Sequence, residues 1–154
     1  MPNEILLHGS CVAIGERGVL LLGPPGSGKS DLLLRLLDQP GYGINGKLKT
    51  ARLVADDQVI VSRGGMGLEA HAPAAIAGKL EVRGLGIVDV PHAERTRLGL
   101  AVKLVPVREI ERMPDLERAG FDVLGMVVPL VLVDPSQASA PARVRAALDW
   151  LARR

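Results

Sequence analysis

The sequence predicts an α/β fold, a central, mostly β sheet flanked by helices and built around a phosphate-binding loop. Three observations predict it. Short runs rich in Val, Ile and Leu alternate with turn residues along the whole chain, the pattern of strands separated by tight connections. Some of these runs, Val19–Leu22 among them, are apolar at every position, as strands covered on both faces must be. A glycine-rich segment, Gly23–Ser30, lies between that run and a leucine-rich helical stretch. The length of 154 residues suits a single domain spanning residues 1–154. Hydrophobic residues make up 47% but aromatics only 2%, namely Tyr42, Phe121 and Trp150, so branched aliphatics and alanine must fill the core.

Taken in order, the expected strands are Cys11–Ile14, Val19–Leu22, Leu53–Ala55, Val59–Val61, Leu80–Val82, Ile87–Val90, Leu100–Val105 and Val127–Val133. A helix is expected over Ser30–Asp38, where five leucines recur without a breaker and Asp31 stands four residues before Arg35. It stops before Pro40-Gly41. A second helix is expected over Pro141–Arg153, with Val144, Ala147, Leu148 and Leu151 at i, i+3, i+4 and i+7 and proline in the first turn. A third, interrupted by Pro114, is expected between Val107 and Ala119, and Pro73–Ala77 reads as one short turn. Gln39–Thr50, punctuated by Pro40, Gly41, Gly43 and Gly46, reads as a flexible surface loop, and Asp134–Pro141 as an exposed connector.

Composition excludes several classes. The 19 Lys+Arg nearly balance 17 Asp+Glu and are scattered, and few rings are available for base stacking, so nucleic acid is not expected as a partner. Cys11 is the only cysteine, which rules out an intrachain disulfide or a multi-thiolate metal site. Val123–Val133, the apolar stretch of the C-terminal third, falls well short of the roughly 18–20 residues of a membrane span. The start, Met1-Pro2-Asn3-Glu4, has no basic segment leading into an apolar one, so no secretory signal is read and a cytoplasmic location is expected.

Gly23-Pro24-Pro25-Gly26-Ser27-Gly28-Lys29-Ser30 matches GxxxxGK[ST] in full, in the strand, loop, helix context the motif needs. Gly26 and Gly28, without side chains, let backbone N–H groups curl around phosphate oxygens, and the following helix directs its positive end at them. Lys29 then bridges the terminal phosphates of a nucleoside triphosphate, and Ser30 offers a hydroxyl to the accompanying Mg²⁺. Leu53-Val54-Ala55-Asp56-Asp57 ends a hydrophobic strand in two carboxylates, one able to face the metal or take a proton from an acceptor. Because side chains alternate, the two point at one atom only if the strand ends there. Asp89, flanked by β-branched residues inside Ile87–Val90, ranks second to them.

These pieces, in this order, resemble the kinase domain of the HPr kinase/phosphorylase family, bacterial enzymes that phosphorylate a serine of the small phosphocarrier HPr. Four segments carry the resemblance: Leu7-His8-Gly9, the loop at 23–30, Leu53–Asp57, and above all Leu80-Glu81-Val82-Arg83-Gly84-Leu85-Gly86-Ile87-Val88-Asp89-Val90. The resemblance implies His8 as an active-site histidine, Lys29 as the loop lysine, Ser30 and Glu81 as Mg²⁺ ligands, and Asp56 as proton acceptor with Asp57 beside it. Which of the two acts as base stays open. Read from the residues alone, Glu81 and Arg83 share one strand face and suit a plain ion pair. Arg112 resembles a family arginine that assists transfer, while His71 and His92 gain no role and read as surface residues.

The implied activity is that of an ATP- and Mg²⁺-dependent serine/threonine protein kinase acting on an HPr-like phosphocarrier, and the implied assembly a homo-oligomer, a hexamer by resemblance. Full-length members carry an N-terminal domain that this chain, beginning shortly before His8, does not show, so regulation through it is not expected. The family's proline-, glycine- and arginine-containing motif has no counterpart in Leu132–Gln137, which leaves phosphorolysis doubtful. Two other readings share the loop: a kinase for a small metabolite, and a non-catalytic ATP-sensing module.

Overall fold

The computed structural model describes residues 3–65 and 67–152. Among the described residues, eleven strands and two α-helices follow one another as β1 (Glu4–His8), β2 (Ser10–Ile14), β3 (Arg17–Leu22), α1 (Lys29–Asp38), β4 (Ala51–Ala55), β5 (Gln58–Gly64), β6 (Gly67–His71), β7 (Lys79–Val82), β8 (Gly86–Asp89), β9 (Thr96–Leu104), β10 (Gly120–Val123), β11 (Met126–Val133) and α2 (Ala140–Ala152). Nine strands form one sheet, with the path β1-β5-β6-β9-β3-β2-β4 and with β11 and β10 branching off β9. β9 is its spine. It runs parallel to β3 on one side; on the other it meets β6 antiparallel at Thr96 and Arg97, then β11 in parallel from Ala101 to Leu104.

β1 and β2 lie far apart on that path, yet only Gly9 separates them in the chain. The sheet must therefore curl, and the Gly9 amide donates to the Asp57 carbonyl at 3.1 Å across the closure. Alternation sorts the side chains into two cores. Cys11, Ala13, Leu20, Val59, Val61 and Ala101 fill the inner one, whereas Val12, Ile14, Val19, Leu21, Leu100 and Val102 face the helices. Both faces are thus apolar and covered, which is why β2 and the interior of β3 are buried at every position. Leu32, Leu33 and Leu36 of α1 and Val144 and Leu148 of α2 complete the helix-side layer.

Several expectations need correction. Val107–Ala119 is not a helix: only Val107–Glu109 makes a 3-10 turn, the stretch after it is irregular, and β10 starts at Gly120. Pro114 removes an N–H that a helix would need and disfavours helical geometry at Met113. β1, β6 and β10 are strands that the pattern of apolar runs did not show, and β9 begins at Thr96 instead of Leu100. Asp134, expected in an exposed connector, is buried, and Ala140 and Pro141 already belong to the buried face of α2. The Gln39–Thr50 loop is irregular as expected, but it is tied down rather than free. Gly41 and Lys49 exchange backbone hydrogen bonds, and the Lys49 ammonium reaches the Tyr42 carbonyl, Asn45 Oδ1 and, at 3.0 Å, the Asp149 carboxylate. Of the expected second helix, Arg153 lies outside the described residues. The Asp31–Arg35 ion pair is present at 2.9 Å.

Candidate functional site

Strand β3 delivers the chain to the loop. The peptide turns back at Gly26 (φ 79°) and Gly28 (φ 102°), both in the left-handed region that glycine adopts freely, and α1 opens at Lys29. Gly28 caps the helix without a side chain, and its carbonyl accepts the Leu32 amide at 3.0 Å. A Cβ at Gly28 would stand 2.8 Å from Pro135 Cγ, and one at Gly23 would stand 2.5 Å from Ser27 Oγ, so backbone compactness here is a steric requirement. The Lys29 ammonium is folded onto the loop's own carbonyls, donating to Gly23 at 2.6 Å and to Pro24 at 3.1 Å. Ser27 Oγ is buried with no protein partner. A buried hydroxyl inside a ring of left-handed glycines fits a phosphate oxygen as its acceptor.

Opposite the loop, Asp56 and Asp57 form the connection between β4 and β5. The strand ends at Ala55, so alternation no longer forces the two carboxylates apart. Asp56 is buried and its carboxylate accepts three hydrogen bonds. Oδ1 accepts from Ser30 Oγ at 3.2 Å and from Ser10 Oγ at 3.3 Å, while Oδ2 accepts the Glu81 amide at 3.2 Å. Asp57 is exposed and sits at φ 67°, left-handed for a residue with a side chain.

The other expected residues are placed less closely. His8 ends β1, exposed and paired with Gln58, one residue before the Gly9 amide that holds the Asp57 carbonyl. Glu81 meets the site through its backbone; its side chain is exposed on β7. It does not pair with Arg83, which lies beyond the end of β7, and the hairpin's ion pair is Lys79 with Asp89 at 3.0 Å. Asp89 is thereby an exposed hairpin residue. Arg112 is exposed, and among the described residues no hydrogen bond or ion pair joins it to the loop or the carboxylates. Of the two histidines expected at the surface, His92 is exposed, whereas His71 is half-buried with an unpartnered Nδ1. Ser10 is the residue that sequence reasoning missed. Its hydroxyl opens an apolar strand, and nothing local ties it to an aspartate 46 residues on.

A hydroxyl and a carboxylate oxygen side by side are hard donors of the kind that hold Mg²⁺ together with water and phosphate oxygens. No group of three or more His, Cys, Asp or Glu side chains suited to a metal is found among the described residues. Among the described residues, no helix is long and apolar enough to cross a membrane.

The chain is 39% identical over 135 residues to the HPr kinase/phosphorylase of Chlorobium limicola, covering 80% of this chain and 38% of that protein. It is 38% identical over 137 residues to that of Burkholderia lata, covering 82% and 39%. The chain thus spans under two-fifths of the length of these curated relatives. The solved HPr(Ser) kinase/phosphatase from Coxiella burnetii has the same fold, with a TM-score of 0.75 at 23% identity over 97% of this chain and 90% of that one. The family described as HPr Serine kinase C-terminal domain matches residues 1–144, and the chain belongs to it.

Proposed function

We propose that this chain transfers the γ-phosphoryl group of ATP to a serine hydroxyl of an HPr-like phosphocarrier protein, with Mg²⁺ as cofactor. The observation that carries the reading is the 3.2 Å contact between Ser30, on the phosphate loop, and Asp56, in the acidic connection. It joins the phosphate-loop helix to the acidic connection, as the reading requires. Lys29 would leave the Gly23 and Pro24 carbonyls for the phosphates, and the amides around Gly26 and Gly28, with Ser27 Oγ, would take the remaining oxygens. Mg²⁺, held through Ser30 with Asp56 beside it and Glu81 as a further carboxylate, would neutralise phosphate charge.

The geometry also favours one aspartate as base. Three donors already share the Asp56 carboxylate and it is buried, so it is less open to an incoming hydroxyl than its neighbour. Asp57 is exposed. We therefore assign Asp57 to accept the serine proton as the serine oxygen bonds to phosphorus and the bridging oxygen leaves with ADP. His8, in register with Gln58 next to Asp57, is assigned as an aid to that transfer, and Arg112 to the transferring charge, both on the resemblance. Phosphorolysis is not proposed. We place the enzyme in the cytoplasm as a homo-oligomer.

The test is incubation with ATP, Mg²⁺ and an HPr-like carrier, which should yield acid-stable phosphoserine. Lys29→Ala should abolish the product while retaining the fold. Asp57→Asn should lower kcat by about 10²–10⁴-fold with ATP affinity kept, whereas Asp56→Asn should weaken Mg²⁺-nucleotide binding. A carrier left unphosphorylated by the wild-type chain overturns the reading.

A further inference from the structure

Ser10 is fully buried at the first position of β2, and its hydroxyl lies between the two aspartates. It accepts the Asp57 amide at 3.1 Å and donates to Asp56 Oδ1 at 3.3 Å. A serine hydroxyl has one proton and two lone pairs. With the proton committed to a carboxylate and a lone pair to an amide, its rotor is fixed, and accepting from the N–H polarises the O–H that it donates. The preceding residue completes the clamp, because Gly9 donates its amide to the Asp57 carbonyl at 3.1 Å. Two consecutive residues thus hold the N–H and the C=O of Asp57, whose left-handed backbone (φ 67°) is uncommon for a residue with a side chain, though aspartate tolerates it better than most.

We propose that Ser10 is a positioning residue, its hydroxyl clamping the Asp57 backbone in the left-handed turn from which the carboxylate works while orienting the Asp56 carboxylate toward the phosphate loop. The inference rests on Asp57 being the proton acceptor. It makes an asymmetric demand. Without the hydroxyl, Asp56 keeps two of its three donors, Ser30 and the Glu81 amide, but the Asp57 amide loses its bond to Ser10.

Ser10→Ala and Ser10→Thr, made in the whole chain, separate this role from plain packing. In Ser10→Ala, kcat for carrier phosphorylation should fall about ten-fold or more while KM for ATP stays within about two-fold. The Asp57 amide, followed by NMR, should shift and exchange with solvent about ten-fold faster. Ser10→Thr keeps the hydroxyl, suits a strand position and should restore both. An unchanged kcat in Ser10→Ala, or a loss that Ser10→Thr does not restore in a folded protein, overturns the proposal. If the wild-type chain transfers no phosphate, the kinase reading falls by itself; the amide then decides the clamp, and an exchange rate unaltered by Ser10→Ala overturns it.

Discussion

Gly28 meets two demands at once, since its φ of 102° lies where residues with a Cβ are strained and the space a Cβ would fill is taken by the Pro135 ring. The backbone demand is worth about 1–2 kcal/mol, and the steric one adds to it because the 2.8 Å approach is to a stiff ring. Gly28→Ala should therefore move the first amides of α1 away from the phosphate position and weaken ATP binding about ten-fold or more, measured by titration calorimetry. Adding Pro135→Ala should recover the steric part but leave the φ penalty, so recovery should be partial. Full recovery, or no loss in the single variant, would show that the loop does not grip phosphate through this turn. The requirement for glycine was legible in the motif. The requirement set by Pro135 was not, since it comes from a residue more than a hundred positions away.

Among the elements, α1 and α2 were readable because leucine periodicity and breakers speak locally, whereas β1, β6 and β10 were not. β6 and β10 alternate or are largely exposed, so they lack the continuous apolar run that marks a strand covered on both sides, while β1 carries such a run in Ile5-Leu6-Leu7 but is largely exposed at the end of the strand path. The join between the two helices was equally silent in the sequence. Arg145, buried on α2, donates Nη2 to the Leu36 carbonyl at the end of α1 at 3.0 Å, and burial pulls its guanidinium below the usual value. Gly41 packs on its side chain. Arg35 makes a second brace, donating to the Pro135 and Gln137 carbonyls behind the phosphate loop. Arg145→Met keeps much of the apolar stem but leaves an orphan helix carbonyl, a change expected to cost about 1.5–3 kcal/mol. The urea midpoint should fall with the slope m unchanged. Nucleotide affinity should hold, because the bond lies at the end of α1 away from the loop; a parallel loss of ATP binding would show that the helix pair transmits strain to the site.

At the scale of the whole molecule, the curl of the sheet is what composition and pattern could not foretell. It brings Gly9 and Ser10 against Asp56 and Asp57 and so builds the candidate site from segments that the sequence shows only as separate strands. The same folding buries two further carboxylates, Asp134 next to the Pro135 that packs on Gly28 and Asp149 on α2, and both contribute to the molecule's response to acid. Asp134 is held below its ordinary value of 3.8 first by the Ser136 hydroxyl, then by the Ser136 amide, and with the help of the Val107 amide. At Asp149 the largest influence, burial, pushes upward, but the Ile44 amide, the Lys49 ammonium and Asn45 outweigh it, so the net direction is again down from 3.8. A carboxyl lowered by folding is ionised more readily in the native chain than in the unfolded one, so its contribution is complete above the unfolded value and disappears as pH falls through the native value. The stabilisation from both groups should therefore be constant through neutral pH and be lost from near pH 3.8 downward. In urea titrations across pH 6 to 2.5, the double variant Asp134→Asn, Asp149→Asn should start with a lower midpoint at neutral pH and then decline less steeply than the wild type below about pH 4. Parallel acid limbs would mean that neither carboxylate is tied to folding, and that the Gln39–Thr50 loop is anchored by something other than the Lys49–Asp149 pair.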